Sequence, residues 1–144
     1  MTAATLTAEP TPANVTAGAL FKAALLGGAI AAAANMALYG ITRVAGVDYI
    51  GNFDPNVGLA PLPPFLPAVS SFVPSLVAAL VMLGLSKATK RPGPVFAGIA
   101  VVFALVSLAG PLRLEASVGT KVALSLMHFV AAAAITLPLV RKVK

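Results

Sequence analysis

The stretch Gly18–Arg43, GALFKAALLGGAIAAAANMALYGITR, decides the fold class. Its only charged residues are Lys22 near the start and Arg43 at the end. A helix needs about 20 apolar residues to cross the hydrocarbon core of a bilayer, and this stretch is long enough. A cleaved signal peptide has a shorter apolar region that follows a basic segment. We therefore predict that the stretch is a retained transmembrane helix.

The composition of the whole chain also indicates a membrane protein. Of the 144 residues, 59% are hydrophobic and 10% are charged, whereas soluble domains carry about 25% charged residues. A small soluble domain keeps a large surface in water and cannot bury this much apolar material. These proportions exclude an ordinary cytosolic enzyme and a disordered protein.

Three further segments are apolar over about the length of a membrane helix, so the chain has four predicted spans. Their approximate ranges are 18–43, 62–85, 94–110 and 120–140. Each span is taken to cross the bilayer completely, so successive spans run in opposite directions. The predicted fold is therefore an all-α integral membrane protein, an up-down-up-down bundle of four transmembrane helices over residues 17–144.

Basic residues are divided unevenly between the two sides of this bundle. Seven of the ten fall on one side, namely Lys22, Lys87, Lys90, Arg91, Arg141, Lys142 and Lys144. The positive-inside rule places that side, and with it both termini, in the cytoplasm. The same rule explains the formal net charge of +6. The lipid bilayer is therefore the expected partner, and nucleic acid is not.

Two segments lie outside the predicted spans. Residues 1–16 are mainly Thr, Ala and Pro, and this composition predicts a disordered cytoplasmic tail. Residues 44–61 form an outer loop that is longer than the usual 2–8 residues between helices. Two interpretations of this loop have equal support: a lid over the bundle, or a mobile connector.

Small residues repeat along the first span at a spacing that favours close helix contacts. Gly27, Ala31 and Asn35 are four residues apart, and so are Gly28 and Ala32. Helices in a bilayer associate through close packing of small residues, because lipid tails are as apolar as leucine. We expect these positions to contact other spans of the same chain. Dimerisation is the alternative.

Polar side chains within the spans are the candidates for function, since such groups are costly in hydrocarbon. Each span brings at least one to the outer half of the membrane: Asn35, Ser70, Ser71, Ser107 and His128.

Helical spacing extends this layer toward the outer surface along two helix faces. The faces consist of Asn35, Tyr39 and Arg43 at i, i+4 and i+8, and of Lys121, Ser125 and His128 at i, i+4 and i+7. Facing each other, they would line an outward-open polar vestibule with Asn35 and His128 at its floor. Arg43 and Lys121 above that floor would favour an anionic group on a ligand.

A structural interpretation stays open beside this ligand site. Asn35 and His128 lie at equal depth and could hydrogen-bond to each other, fixing the register of two helices. Serines in membrane helices often bond to their own backbone. Either arrangement would satisfy the polar groups without any ligand.

The chain lacks the residues for most catalytic chemistry. It has no cysteine, one histidine and four carboxylates, too few for the usual metal sites, so no metal or cofactor is expected. The carboxylates fall in the tail and outer loops, which leaves no Ser–His–Asp set. An enzyme that uses His128 as a base stays an alternative, with less support than a non-enzymatic function.

Several short motifs are similar to those of one family. They are SFVPSL at 71–76, LVSLAGPL at 105–112, TKVAL at 120–124 and Met127-His128, together with Asn35 and Tyr39. Together they resemble the small bacterial four-span proteins grouped as domain of unknown function 6069, over roughly residues 18–142. The resemblance implies a four-span fold and a bacterial inner membrane. It implies no mechanism.

Two function classes follow from these observations. The first is a non-enzymatic membrane protein that binds a lipid or a small anionic molecule from the outer side, or serves as an accessory subunit of a partner membrane protein. Its candidate ligand-binding residues are His128, Asn35, Tyr39, Arg43, Ser71, Ser107, Ser125 and Lys121. The alternative is a component of an oligomeric transporter or channel, because four short spans are few for alternating access by a monomer.

Overall fold

The computed structural model describes residues 15–143, and these residues are mostly helical. The helices are α1 (Ala17–Val44), α2 (Leu66–Ala88), α3 (Pro92–Ser107), α4 (Ala109–Arg113) and α5 (Val118–Arg141). Two short strands, β1 (Ile50–Asp54) and β2 (Gly58–Pro61), lie between α1 and α2. Most of the predicted tail, residues 1–14, lies outside the described residues.

Four helical segments are long and apolar enough to cross a membrane within residues 15–143. They are Ala17–Val44, Leu66–Ala88, Pro92–Arg113 and Val118–Arg141. The prediction of four membrane helices is therefore confirmed. The up-down-up-down order and the cytoplasmic location of both termini stay predictions.

The second membrane helix begins later than its apolar sequence suggested. The prediction began at Leu62, but α2 begins at Leu66. A residue that precedes proline avoids the helical conformation, and Pro63 and Pro64 follow Leu62 directly. The N–H of Leu62 instead donates to the carbonyl of Tyr49 at 2.8 Å. Leu62 is thus part of the outer loop, where its side chain is buried.

The third membrane helix is interrupted near its end. Helix α3 ends at Ser107, and α4 continues from Ala109 to Arg113. Pro111 has no N–H to donate to the carbonyl of Ser107, four residues earlier, so the helical hydrogen bonds break there. The predicted span of 94–110 ended inside α4, just after this interruption. The apolar segment extends at both ends, from Pro92 to Arg113.

A two-stranded antiparallel sheet in the outer loop was not predicted and accompanies the helical bundle. Strands β1 and β2 pair with Ile50 opposite Pro61 and Gly51 opposite Ala60. Asp54 begins the turn between them: its carbonyl accepts from Val57 N–H at 3.0 Å, and its side chain accepts from Asn56 N–H at 2.9 Å. The strands have only 5 and 4 residues, too short for a clear alternating pattern.

The hairpin is attached to the segment that precedes α5. Gly51 forms an isolated bridge with Ala116, and the N–H of Asn52 donates to the carbonyl of Glu115 at 3.0 Å. These bonds favour the lid over the mobile connector for residues 44–61.

Helix α1 lies against both α2 and α5. A methyl group in place of the hydrogen on Gly27 would lie 2.8 Å from the carbonyl oxygen of Ala134 in α5. The same change at Gly28 would collide with the Ser75 hydroxyl of α2. The small-residue spacing therefore brings α1 into close contact with two helices of its own chain, as predicted.

Two clusters of buried side chains mark the two ends of the bundle. At the hairpin end, Tyr49 and Leu62 pack with Ala123 and Met127. At the other end, which we call the terminal end, the residues are Leu20 of α1, Met82 of α2, Phe96 of α3 and Leu139 of α5.

Candidate functional site

A cavity of about 420 Å³ lies at the hairpin end, and we call it the hairpin-end cavity. Its polar lining residues are Asn35, Ser70, Ser71 and His128. The rest of the lining is apolar: Phe53, Leu62, Leu66, Pro67, Gly110, Pro111, Leu114, Leu124, Met127 and Ala131. An apolar cavity with a few polar groups is typical of small-molecule sites.

Asn35 connects three helices beside this cavity. Its side chain is 2% exposed. The amide nitrogen donates to the hydroxyl of Ser71 at 2.7 Å and to the backbone carbonyl of Met127 at 3.0 Å. Both amide hydrogens are therefore used, one toward α2 and one toward α5. The amide oxygen, Oδ1, is buried and has no partner among the described residues.

The hydrogens of the other polar groups are also donated to the backbone. The Ser71 hydroxyl donates to the carbonyl of Pro67 at 2.5 Å, and the Ser70 hydroxyl donates to that of Leu66 at 2.7 Å. Nδ1 of His128 lies 2.8 Å from the carbonyl oxygen of Leu124. A carbonyl only accepts, so Nδ1 carries a proton.

The Asn35 amide and the two serine hydroxyls can therefore accept hydrogen bonds but have no hydrogens left to donate. Asn35 has Oδ1 without a partner, and the serines have free lone pairs. A buried acceptor without a partner costs about 1–3 kcal/mol. A molecule that suits this cavity brings its own hydrogen-bond donor.

The structure brings Asn35, Ser71 and His128 together, as the sequence predicted, but by different bonds. The expected bond between Asn35 and His128 is absent from the described side chains, since Asn35 bonds to the carbonyl of the preceding residue, Met127. These bonds match the structural interpretation, and the ligand site stays a prediction. Asn35 fixes helix register, and it also presents an acceptor without a partner beside the cavity.

Two predicted site residues on α1 lie outside the cavity lining. The ring of Tyr39 packs against that of Tyr49, with ring centroids 4.6 Å apart and ring planes tilted by 40°. The Arg43 guanidinium is exposed and donates to the backbone carbonyl of Asp48. Both side chains are used to position the outer loop.

Three more predicted site residues, on α3 and α5, also lie outside the lining. The Ser107 hydroxyl donates to the carbonyl of Ala104 at 2.7 Å, and that of Ser125 to the carbonyl of Lys121 at 2.8 Å. These bonds are the local backbone bonds that serine forms in membrane helices. Lys121 itself is half-buried and does not line the cavity.

Asp48 fastens the outer loop to the start of α5. Its carboxylate accepts from the Thr120 hydroxyl at 2.8 Å, the Ser117 hydroxyl at 3.0 Å and the Ile50 N–H at 3.3 Å. These bonds, that of Thr120 first, lower the pKa of Asp48 below its ordinary value. The carboxylate also lies near the N-terminus of a helix, where negative charge is stabilised.

Tyr49 anchors the same loop and is fully buried. Its backbone has a φ of 52°, which is uncommon for a bulky residue. Its hydroxyl shares a 2.6 Å hydrogen bond with Thr42. Burial raises the pKa of Tyr49, and the bond to Thr42 opposes that rise. The burial of the ring and the bonds around it hold the loop in this conformation.

Sequence reasoning missed several residues of the site. Phe53 of β1 lines the cavity, and Pro111 and Leu114 of the α4 region form one wall. The turn sequence Asp54-Pro55-Asn56, with Gly58 after it, was a signal for the hairpin. No comparable signal indicated the wall, because it depends on where α3 breaks.

The fold and the cavity define a multi-pass membrane protein with four apolar helical segments. Residues 15–144 match DUF6069, a family of unknown function, and the chain therefore belongs to that family. No curated protein and no solved structure matches the chain. Across residues 15–143, no group of three or more metal-ligating side chains comes together.

Proposed function

We propose that this protein is a non-enzymatic binding protein whose hairpin-end cavity takes a neutral amphiphile that carries a hydroxyl group. One observation carries the proposal: Oδ1 of Asn35 is buried without a partner beside a largely apolar cavity. A ligand hydroxyl would satisfy this oxygen while the ligand's apolar part contacts Leu66, Leu124 and Ala131.

The size of the cavity supports a small ligand. Ligand sites range over about 300–1,000 Å³, and this cavity has about 420 Å³. A single short chain or a small ring system fits this volume, whereas a whole two-chain phospholipid does not.

The anionic ligand suggested by the sequence has less support than a neutral one. That suggestion depended on Arg43 and Lys121, and neither lines the cavity. An anion also brings acceptors to a cavity in which the Asn35 amide and the serine hydroxyls have already donated their hydrogens. We therefore propose a neutral donor instead of an anion.

Fluorescence quenching tests this proposal with little background, because the chain has no tryptophan. The reporter variant is Phe53→Trp, at the edge of the cavity. The probes are brominated undecanol, bromoundecane and bromoundecanoic acid, which share a chain length and differ in the head group. We expect saturable quenching by all three, with the alcohol about fivefold tighter than the alkane, as one net hydrogen bond provides.

Two controls separate binding in the cavity from partition into the micelle. Phe103→Trp places the reporter on the exposed face of α3, where quenching should not saturate and should not favour the alcohol. Adding Asn35→Leu to the Phe53→Trp variant should abolish the preference for the alcohol. Quenching of Phe53→Trp without saturation, or a preference that survives Asn35→Leu, overturns the proposal.

We also propose that the protein spans the plasma membrane of a bacterium with both termini in the cytoplasm. The distribution of basic residues supports this orientation. The chain has no cysteine, so single cysteines can be labelled selectively. In intact cells, a membrane-impermeant maleimide should label Asn56→Cys in the hairpin turn and should spare Lys87→Cys until the cells are permeabilised. The reverse pattern would overturn the orientation.

A further inference from the structure

A second cavity lies at the terminal end, and its chemistry differs from that of the first. It has about 330 Å³, lies between the start of α3 and the end of α5, and we call it the terminal-end groove. Lys90 and Arg91 line it, together with Pro94, Ala97 and Val140. Two cationic side chains thus lie beside a wall of apolar ones.

Among residues 15–143, the charged side chains at this end of the bundle are all basic. Among the described residues, Lys22, Lys87, Arg141 and Lys142 also belong to this end, whereas Asp48, Asp54 and Glu115 belong to the loops at the hairpin end. Lys90 and Arg91 are exposed. The groove therefore attracts anions, and no described carboxylate lies at this end to neutralise it.

The position of Lys90 and Arg91 is fixed by a short connection. Helix α2 ends at Ala88 and α3 begins at Pro92, so only three residues join them. Thr89 stabilises this connection, because its hydroxyl accepts from the Arg91 N–H at 3.2 Å. Pro92 and Pro94 lack an N–H, so recognition of an anion falls mainly to the two side chains.

The apolar wall distinguishes this groove from an ordinary basic surface. Ala97 lies five residues into α3, about 8 Å along the helix from Pro92. Val140 of α5 also lines the groove. Its side chain lies close to the start of α3, because a methyl group added to Gly93 would lie 3.6 Å from it. A cationic rim over an apolar slot is complementary to an anionic head group with acyl chains. Basic pockets between membrane helices bind such lipids.

We propose that the terminal-end groove binds an anionic phospholipid, with its phosphate at Lys90 and Arg91 and an acyl chain along Pro94, Ala97 and Val140. The lipid is recognised by charge at the rim and by apolar contact below it. This site is separate from the hairpin-end cavity, so either proposal can fail without the other.

Native mass spectrometry of the purified full chain tests the proposal with phosphatidylglycerol and phosphatidylcholine added at equal concentration. We expect one tightly bound phosphatidylglycerol and much weaker phosphatidylcholine. The double variant Lys90→Gln/Arg91→Gln should bind phosphatidylglycerol about thirtyfold more weakly, given the contribution of two basic residues at an anionic surface.

The matched control is Arg141→Gln/Lys142→Gln, which removes the same charge from the same end but leaves the groove lining intact. It should bind phosphatidylglycerol as the unmodified chain does. Equal loss in both double variants would show general charge attraction and overturn the site.

Two further measurements test the lipid chain and the source of the phosphate. Ala97→Phe fills the slot without changing charge and should weaken phosphatidylglycerol binding, whereas unchanged binding would overturn the acyl-chain contact. Glycerol phosphate should compete poorly. If it competes as well as the lipid, the ligand is a soluble phosphate and the lipid assignment is wrong.

Discussion

Helices α1 and α3 are both apolar, yet they have opposite positions in the bundle. Helix α1 contacts α2 on one side and α5 on the other, with Gly27, Gly28 and Asn35 buried between them. Helix α3 leaves most of its large side chains exposed, including Phe103, which is 67% exposed. Apolar composition places a helix in a bilayer, but small and polar residues determine which neighbours it contacts.

The largest expected effect comes from filling the contact between α1 and α5. Gly27→Val places side-chain atoms against the backbone of Ala134 and Ile135, which cannot move aside as a flexible side chain can. We expect a loss of about 3 kcal/mol in the free energy of unfolding, at the upper end of overpacking effects. Thermal unfolding in detergent, followed by circular dichroism, measures it.

Gly98→Val on α3 is the matched control. No atom lies within 4 Å of the position where its new side chain would begin, and valine suits a helix better than glycine does. Its stability should be unchanged or slightly higher. If both variants lose stability equally, the contrast between the two helices is wrong.

A smaller effect is expected from the polar groups of the same two helices. Asn35→Ala removes one bond to α2 and one to α5. Hydrogen bonds in membrane proteins average about 0.6 kcal/mol. We therefore expect a loss of about 1 kcal/mol, measured by the same thermal unfolding.

Ser107→Ala on α3 provides the comparison, since that hydroxyl bonds only to its own helix at Ala104. Its stability should stay within about 0.5 kcal/mol of the unmodified chain, as for most substitutions away from packing contacts. A larger loss at Ser107 than at Asn35 would contradict the assignment of Asn35 as the residue that joins three helices.

The smallest expected change in stability concerns the loop that follows α1, in comparison with the segment that follows α3. The loop after α1 is tied to α5 by Asp48, whereas α3 continues directly into α4. Hydrogen bonds lower the pKa of Asp48 from 3.8 in the folded state. The stabilisation is therefore present above pH 3.8 and is lost as the pH falls through the folded-state pKa.

Asp48→Asn should remove that acid-dependent loss, as measured by unfolding at pH values above and below 3.8. Glu115→Gln, which also removes an exposed carboxylate, should retain it. An unchanged acid-dependent loss in Asp48→Asn would mean that another group is responsible.

Much of the fold could be predicted because hydrophobic length and small-residue spacing are local properties. The four apolar segments and the Gly27 and Gly28 contacts follow from them. The hairpin could not be predicted in the same way, since its strands are short and are held by distant partners such as Ala116. The interruption at Pro111 was read as the end of a span instead of a break within one.

The candidate site was predicted in part for a similar reason. Depth along each helix correctly grouped Asn35, Ser71 and His128. Depth does not determine the direction in which a side chain points around the helix, and Ser107 therefore lies outside the cavity lining. Tyr39 shares the helix face of Asn35, but its ring packs on Tyr49 of the outer loop, which the sequence did not indicate. Arg43 was misassigned because a long side chain at the end of a helix reaches the nearest acceptor, here the carbonyl of Asp48.

The position of Asn35 between α2 and α5 has a consequence for how the chain is assembled during synthesis. Ser71 follows Asn35 by 36 residues, but Met127 follows it by 92. While the ribosome is still making the second half of the chain, one amide hydrogen of Asn35 can already be bonded, and the Gly27 face has no partner. The contacts of Gly27 and the second bond of Asn35 form only after α5 has been synthesised.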